Sequence, residues 1–227
     1  MTAAASSAAF PAASSAADPT PSAARRGRPD PERRERILAA AAELASRRGF
    51  HDIGLADIGA EAGIVGSGVY RHFPNKDAIL VALLDRGMTR LEEGAAAVLA
   101  AATDDRAALS GLVREHIRVA IEQRAILAVW HREIHNLPEE DRRVLRRRQR
   151  HYVEDWVHTL APLRRDLADG ELRLAVHAAV GAVHSTLFFR SGLSPQRLTA
   201  LLDVMAHGCL GVDPSPSEFE FTQPLPG

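Results

Sequence analysis

The sequence has one cysteine, Cys209, which excludes an intrachain disulfide framework and any metal or iron–sulfur site built on clustered thiolates. No apolar run approaches the roughly 18–20 residues that span a bilayer, so no membrane partner is expected. The start, Met1-Thr2-Ala3-Ala4, has no basic stretch followed by a leucine-rich one. Export is therefore not expected, and a cytoplasmic location is the default. A dominant charge is missing too: 28 Lys+Arg against 29 Asp+Glu leave a formal net charge of −1. Any binding of nucleic acid must come from a local patch rather than a global field. Strand signals are also absent, with no run of alternating β-branched residues and no strand–turn–strand pattern. What is present is a chain of 227 residues, 46% hydrophobic and 25% charged, enough to bury a sizeable core.

The two ends differ from the middle. Ala, Ser, Pro and Thr fill 21 of the first 24 positions, and Arg25-Arg26-Gly27-Arg28-Pro29 follows as a basic cluster. Residues 1–29 are expected to be a disordered tail with a basic arm, having little to bury. Asp213 to Gly227, with four prolines and three acids, is expected to be a second tail. Between them the periodicity is helical almost throughout. Asp30 and Pro31 supply an N-cap and a first-turn proline for a helix whose stripe is Ile37, Leu38, Ala41, Leu44 and Ala45. Gly49 ends it and Phe50 packs back. Short helices are expected over about Leu55 to Ala62 and Gly66 to His72, with Pro74 as the stop and Asn75 as the next cap. Further helices are expected after the break at Thr103-Asp104-Asp105, over Ala125 to His135, from Pro138 towards Leu160, from Leu172 to Phe189, and from Pro195 to Leu210. The fold class is all-α.

The segment from Gly49 to Lys76 carries the chemistry. Two short helices joined by a tight turn at Gly63 have the dimensions of a helix-turn-helix. Gly59 lies where the second helix must cross closely, and Ile58, Ala62, Ile64 and Val69 supply the apolar contact. Gly63 is expected in the left-handed conformation that glycine adopts cheaply. Such a unit places its second helix in the major groove of DNA.

Here the chain resembles the TetR family of bacterial transcriptional regulators. The likeness covers about Arg33 to Arg90 and runs through Gly49-Phe50, Asp57-Ile58-Gly59, Ala62-Gly63-Ile64 and Val69-Tyr70-Arg71-His72-Phe73-Pro74-Asn75-Lys76. Its most specific part is Tyr70-x-His72-Phe73-x-x-Lys76. The resemblance implies a three-helix DNA-binding domain over 30–76 and a helical effector-binding and dimerisation domain over 77–212. It implies that Tyr70 and His72 touch the sugar-phosphate backbone and that Lys76 meets a phosphate. Base contacts fall to Gly66, Ser67 and Gly68, with Arg71 further along. Val65, Gly66 and Gly68 depart from the common pattern, as does Gly54 at the cap of the preceding helix. Two glycines remove side chains that read base edges and cost about 1 kcal/mol each in helix propensity. Ser67, Arg71 and the arm are therefore expected to carry more of the readout. Arg26-Gly27-Arg28-Pro29 resembles the core of an AT-hook, which lays arginines in a narrow A·T minor groove. Residues 25–76 hold ten Lys+Arg against seven Asp+Glu, a modest excess that suits a few placed phosphate contacts.

For the rest of the chain the resemblance implies a homodimer through the last two helices and a small-molecule pocket. Leu172, Val176, Ala179, Val180, Val183 and Leu187 make one stripe, while Ala178, Gly181, Ala182 and Ser185 make a second, small-residue side. Two faces on one helix suit packing on its own core and on a partner. Pocket candidates are His116, Trp130, Glu133, Ile134, Tyr152, Trp156, His184 and Phe188, aromatic walls with a few polar groups that suit a hydrophobic effector. Arg142 to Arg150 contains six arginines in nine residues, mostly a solvated face paired with Glu139, Glu140 and Asp141. Arg146 and Arg150 also suit attraction of an anionic effector such as an acyl-CoA.

Other classes fit less well. His131 and His135 stand one helical turn apart, a spacing that can share a metal, so a metal-sensing regulator is an alternative. The order is not that of a zinc hydrolase, no third ligand is near in sequence, and no nucleophile motif is present. A catalytic metal, a cofactor and an enzymatic role are therefore not expected. A non-catalytic helical ligand-binding protein is the remaining alternative, but it leaves Tyr70, His72 and Lys76 unexplained. The reading is a dimeric regulator, in this family most often a repressor, that binds double-stranded operator DNA and is released by its effector.

Overall fold

Helix α1 (Pro31–Arg48) begins as the sequence predicts, with the Asp30 carboxylate accepting from the Glu32 N–H at 3.0 Å and Pro31 in the first turn. The computed structural model describes residues 30–64 and 66–214. The expected basic arm, with Arg26 and Arg28, and nearly all of the expected C-terminal tail lie outside the described residues. Within them there are eight α-helices, three short 3-10 turns and no strand.

Ile37, Leu38, Ala41, Leu44 and Ala45 are buried along α1. Gly49 has φ +89°, and the buried Phe50 packs back under the helix end. Helix α2 (Leu55–Glu61) follows, then a 3-10 turn over Gly66–Arg71, then α3 (Lys76–Ala101), capped by Asn75 accepting from Ala78 N–H at 2.8 Å. Asp104 caps α4 (Asp105–Glu122) in the same way. The remaining helices are α5 (Arg124–Glu133), α6 (Glu139–Leu160), α7 (Asp169–His184) and α8 (Pro195–Leu210), the last capped by Ser194.

Two expected helices are shorter than their apolar pattern. Leu172 to Phe189 is α-helical only to His184, because Ser185 Oγ donates to Ala182 O and Thr186 Oγ1 to Val183 O. Hydroxyls bonded back to the preceding turn favour the tighter 3-10 winding that follows over Ser185–Leu187. The expected helix from Ala125 to His135 ends at Glu133, with Ile134–Asn136 wound as a 3-10 turn.

The core is continuous from the first helices to the last. Helix α1 packs on α5 and α3, so the N-terminal head rests directly on the body. Helices α3 and α4 form one long pair and α7 and α8 another, with α6 wedged against α3, α4 and α7. Arg148 of α6 staples α6 to α3 through Asp85, Thr89 and Glu92. No described helix is long and apolar enough to cross a membrane.

Candidate DNA-binding head and effector cavity

The head is shaped by glycines. Gly63 has φ +65°, the conformation a tight turn requires. A Cβ on Gly59 would stand 3.0 Å from Ile64 O and 3.1 Å from Val69 Cγ2, so a side chain there would press the next turn away by a few tenths of an ångström. Ile64 N–H bonds to Gly59 O at 2.8 Å across that contact. Asp57 accepts from the Gly54 N–H at 2.7 Å, which caps α2 without a side chain at Gly54.

The expected recognition helix over Gly66 to His72 is a 3-10 turn, Gly66–Arg71. Glycines at 66 and 68 lower the cost of leaving the α-helix, and the packing demands one of them. A Cβ on Gly68 would lie 2.5 Å from Ile64 Cγ2. The side chain of Ser67 lies outside the described residues, as does Val65. Val69 is buried and anchors the turn, while Tyr70 is 60% exposed and Arg71 is exposed beside it. His72 is half-buried, with Nδ1 enclosed and unpartnered among the described residues. Lys76 turns back: its ammonium donates to His51 O at 2.9 Å and sits 4.9 Å from the centre of the Phe50 ring. It thus clamps the loop between α1 and α2, with two of its three N–H donors to spare.

The effector candidates separate into two groups. His116, Trp130, Tyr152 and His184 surround one cavity, together with Met88, Leu91, Gln149 and His177. Trp156 stands behind it, fully buried, its ring 5.7 Å from His116 and 6.2 Å from Tyr152. The other three candidates lie elsewhere. Ile134 is buried in the 3-10 turn after α5 and does not line the cavity. Phe188 is 58% exposed and meets only the edge of the wall, at the His131 ring. Glu133 is buried against the head, where its carboxylate accepts from Phe50 N–H at 3.3 Å and Asn136 Nδ2 at 2.8 Å, with His51 Nε2 at 3.5 Å. Glu133 is three residues from Trp130, close to it around the helix, but its carboxylate is taken by Phe50 and Asn136 and does not line the cavity.

The cavity measures about 50 Å³. Pockets for drug-sized ligands usually measure about 300–1,000 Å³. Its polar wall is a chain of hydrogen bonds: Tyr152 Oη to His116 Nδ1 at 2.8 Å, His116 Nε2 to His184 Nε2 at 2.9 Å, and His184 Nδ1 to His131 Nε2 at 2.9 Å. Burial lowers the pKa of His116 to about 4. Burial and the two neighbouring imidazoles lower that of His184 to about 2. Burial lowers that of His131 as well, and raises that of Tyr152 above its ordinary value. All four groups are neutral at pH 7. In the sequence His116, Tyr152 and His184 stand together as pocket candidates, but no signal there shows that they bond to one another or that His131 joins them, since bonded partners are 36 to 68 positions apart.

The proposed metal pair is not assembled. His131 points to His184, while His135, on the 3-10 turn, has Nδ1 3.4 Å from Arg146 Nη2. The change of helical pitch between them breaks the one-turn register. Among the described residues no group of three His, Cys, Asp or Glu is placed to hold a metal ion. Nor does any arginine of the run from 142 to 150 line the cavity: Arg142 and Arg143 pair with Glu139 and Arg148 with α3.

Comparisons with known proteins agree with this architecture. The family described as bacterial regulatory proteins, tetR family, matches residues 37–83, and the tetracyclin repressor-like C-terminal domain matches residues 102–187. The HTH-type transcriptional activator FasR of Mycolicibacterium smegmatis is 36% identical over 80 residues, which are 35% of this chain and 36% of that protein. A TetR-family transcriptional regulator from Bordetella parapertussis superposes with a TM-score of 0.72 at 22% identity, over 81% of this chain and 96% of that one. AibR in complex with isovaleryl coenzyme A and operator DNA superposes with a TM-score of 0.66 at 20% identity, over 76% and 97% of the two chains. These two structural likenesses bear on the fold. The family matches cover both the head and the body, together more than half of the sequence. The chain belongs to the TetR family of bacterial transcriptional regulators, a family of DNA-binding, ligand-binding proteins that are not enzymes.

Proposed function

We propose that the protein is a homodimeric repressor whose grip on operator DNA is released by a small amphipathic effector bound between α3, α4, α5, α6 and α7. The observation that carries this reading is Glu133. It is buried on the helix that walls the cavity with Trp130 and His131, yet its carboxylate holds the Phe50 N–H of the head. Buried carboxylates leave water only for good partners, so this contact ties cavity and head together. Arg132 adds a second tie, donating to Ser46 O of α1 at 3.3 Å.

Tyr70 and Arg71 from the 3-10 turn, and His72 just after it, contact phosphates and groove edges, with Gly66, Ser67 and Gly68 at the start of the turn. Lys76 both clamps the loop and offers its spare donors to a phosphate. The dimer forms through α7 and α8, where Leu174, Leu201, Val204 and Met205 are 70%, 40%, 59% and 43% exposed while Leu172, Val176, Leu202 and Leu210 face the core. A second copy covers that apolar face and sets two heads about 34–36 Å apart, one turn of duplex. The effector shifts the balance between two head separations, and moving it from 1:99 to 99:1 takes about 5.5 kcal/mol of differential affinity.

Genomic fragments selected on the purified protein should yield a two-fold symmetric site. Effector, added as a metabolite extract, should release it from the wild type but not from Glu133→Ala. Selection of no fragment at all, or unaltered release from Glu133→Ala, would remove the reading.

A further inference from the structure

The polar wall of the cavity is unusual in what it pairs with. Three imidazoles and a phenol are bonded to one another, and no carboxylate or fixed cation lines the space. The direction of the chain follows from donors and acceptors. The Tyr152 hydroxyl has one partner among the described residues, His116 Nδ1, and the buried Trp156 N–H lies toward its oxygen without bonding. The hydroxyl therefore donates to His116. A neutral imidazole has one N–H, so His116 Nε2–H then donates to His184 and His184 Nδ1–H donates to His131. Each neutral member is satisfied, and the chain ends at the exposed His131.

The charges around this chain are spoken for. Glu92 on α3 is held by Arg148, Glu115 on α4 by Arg118, Arg124 on α5 by the carbonyls of Thr186 and Leu187, and Arg173 on α7 by Glu154. Asp203 on α8 faces His207. Asp155 on α6 and Glu115 act on Tyr152, but neither is hydrogen-bonded to an imidazole of the chain. What the imidazoles lack is an anion. Beside them, His177 and Gln149 line the cavity, and Met88, Leu91, Leu127, Trp130, Val153 and Val180 supply its apolar wall.

We propose that the effector is a compact amphipathic carboxylic acid, bound as the carboxylate together with one proton taken up by the imidazole chain. This rests on the cavity being the effector site. The carboxylate sits against His131 and His177, and its hydrocarbon part spreads the apolar wall apart. The balance is simple: carboxylate and one solvent proton enter, and His131 becomes an imidazolium whose Nε2–H now donates to His184 Nδ1. The chain reverses, His184 Nε2–H donating to His116 and His116 Nδ1–H to Tyr152 Oη. The freed Tyr152 hydroxyl turns to the carboxylate, and the site gains no net charge. A carboxylate without that proton would be a lone buried charge, which is costly. A neutral amide of the same shape needs no proton and gains no ion pair.

Isothermal titration calorimetry of the full chain tests this with hexanoate, octanoate and benzoate, and with their primary amides, in phosphate and in Tris buffer. The acids should bind with uptake of about one proton, and their affinity should rise about tenfold per pH unit from pH 8.5 to pH 7. His131→Gln and Tyr152→Phe should fold, and His131→Gln should lose both the uptake and the slope. Equal binding of acids and amides, acid binding without proton uptake, or binding of neither series would each overturn the proposal. Retention of selected operator fragments, measured on the same preparation, stands or falls separately and so distinguishes this failure from that of the regulator reading.

Discussion

The head and the body handle polar groups in opposite ways. In the head, polar groups serve close neighbours in sequence, as in the Asp30, Asp57 and Asn75 caps, and Tyr70 and Arg71 are left in solvent. In the body, groups from four helices close on one another, three of them largely out of water and His131 at the solvent end. A surface that meets a charged polymer gains from side chains already hydrated and mobile. A cavity that admits a ligand must keep its polar groups mutually satisfied until the ligand arrives.

Trp156→Ala should break the body most severely. The indole is fully buried behind the histidine chain, and its loss should cost about 3–5 kcal/mol, read as a lower denaturation midpoint. Acid should come next. His116 has a folded pKa of about 4 against 6.5 in its ordinary state. Below about pH 6.5 the unfolded chain takes up protons that the folded one refuses, so stability falls as pH drops towards 4. Between pH 7.5 and 5 the wild type should lose about 2 kcal/mol more than His116→Gln, measured by urea unfolding at each pH.

The head should respond differently. Gly59→Ala forces a methyl against Ile64 O and Val69, and should cost about 1–3 kcal/mol while displacing the recognition turn and abolishing operator retention. Smallest in stability is Arg71→Ala, within about 0.5 kcal/mol of the wild type because the residue is exposed. Its operator affinity should nonetheless fall, and the slope of log affinity against log salt should drop by about 1 if a phosphate contact is lost. A large stability change for Arg71→Ala would blur the contrast between the two regions.

The same contrast governs what was legible in the sequence. The head was largely legible because its determinants are local: Asp30 before Pro31, Gly63 at the turn and Gly59 four residues earlier all act within a few positions. The 3-10 winding was less so, since the reason for Gly68 is a contact with Ile64 that propensity alone does not show. In the body, helical periodicity located the elements, but convergence was invisible. Closeness in sequence pairs His131 with His135, whereas its partner is His184, 53 positions away. Helical spacing groups Glu133 with Trp130 and hence with the cavity, whereas its carboxylate serves the head. Which side of α5 meets the head depends on the packing of α1, which no local pattern encodes.

The Arg148 staple has a mechanical corollary. Asp85, Thr89 and Glu92 fall on one face of α3, so a single guanidinium spans two turns of it and makes α3 and α6 one stiff plate. Helix α5 is fastened at its first residue, where Arg124 grips the carbonyls of Thr186 and Leu187. Its far end is Glu133. On the proposed mechanism, a swelling cavity meets the braced α3–α6 pair on one side, and α5 would swing about Arg124 like a door on a hinge post. The latch of that door is the amide of Phe50.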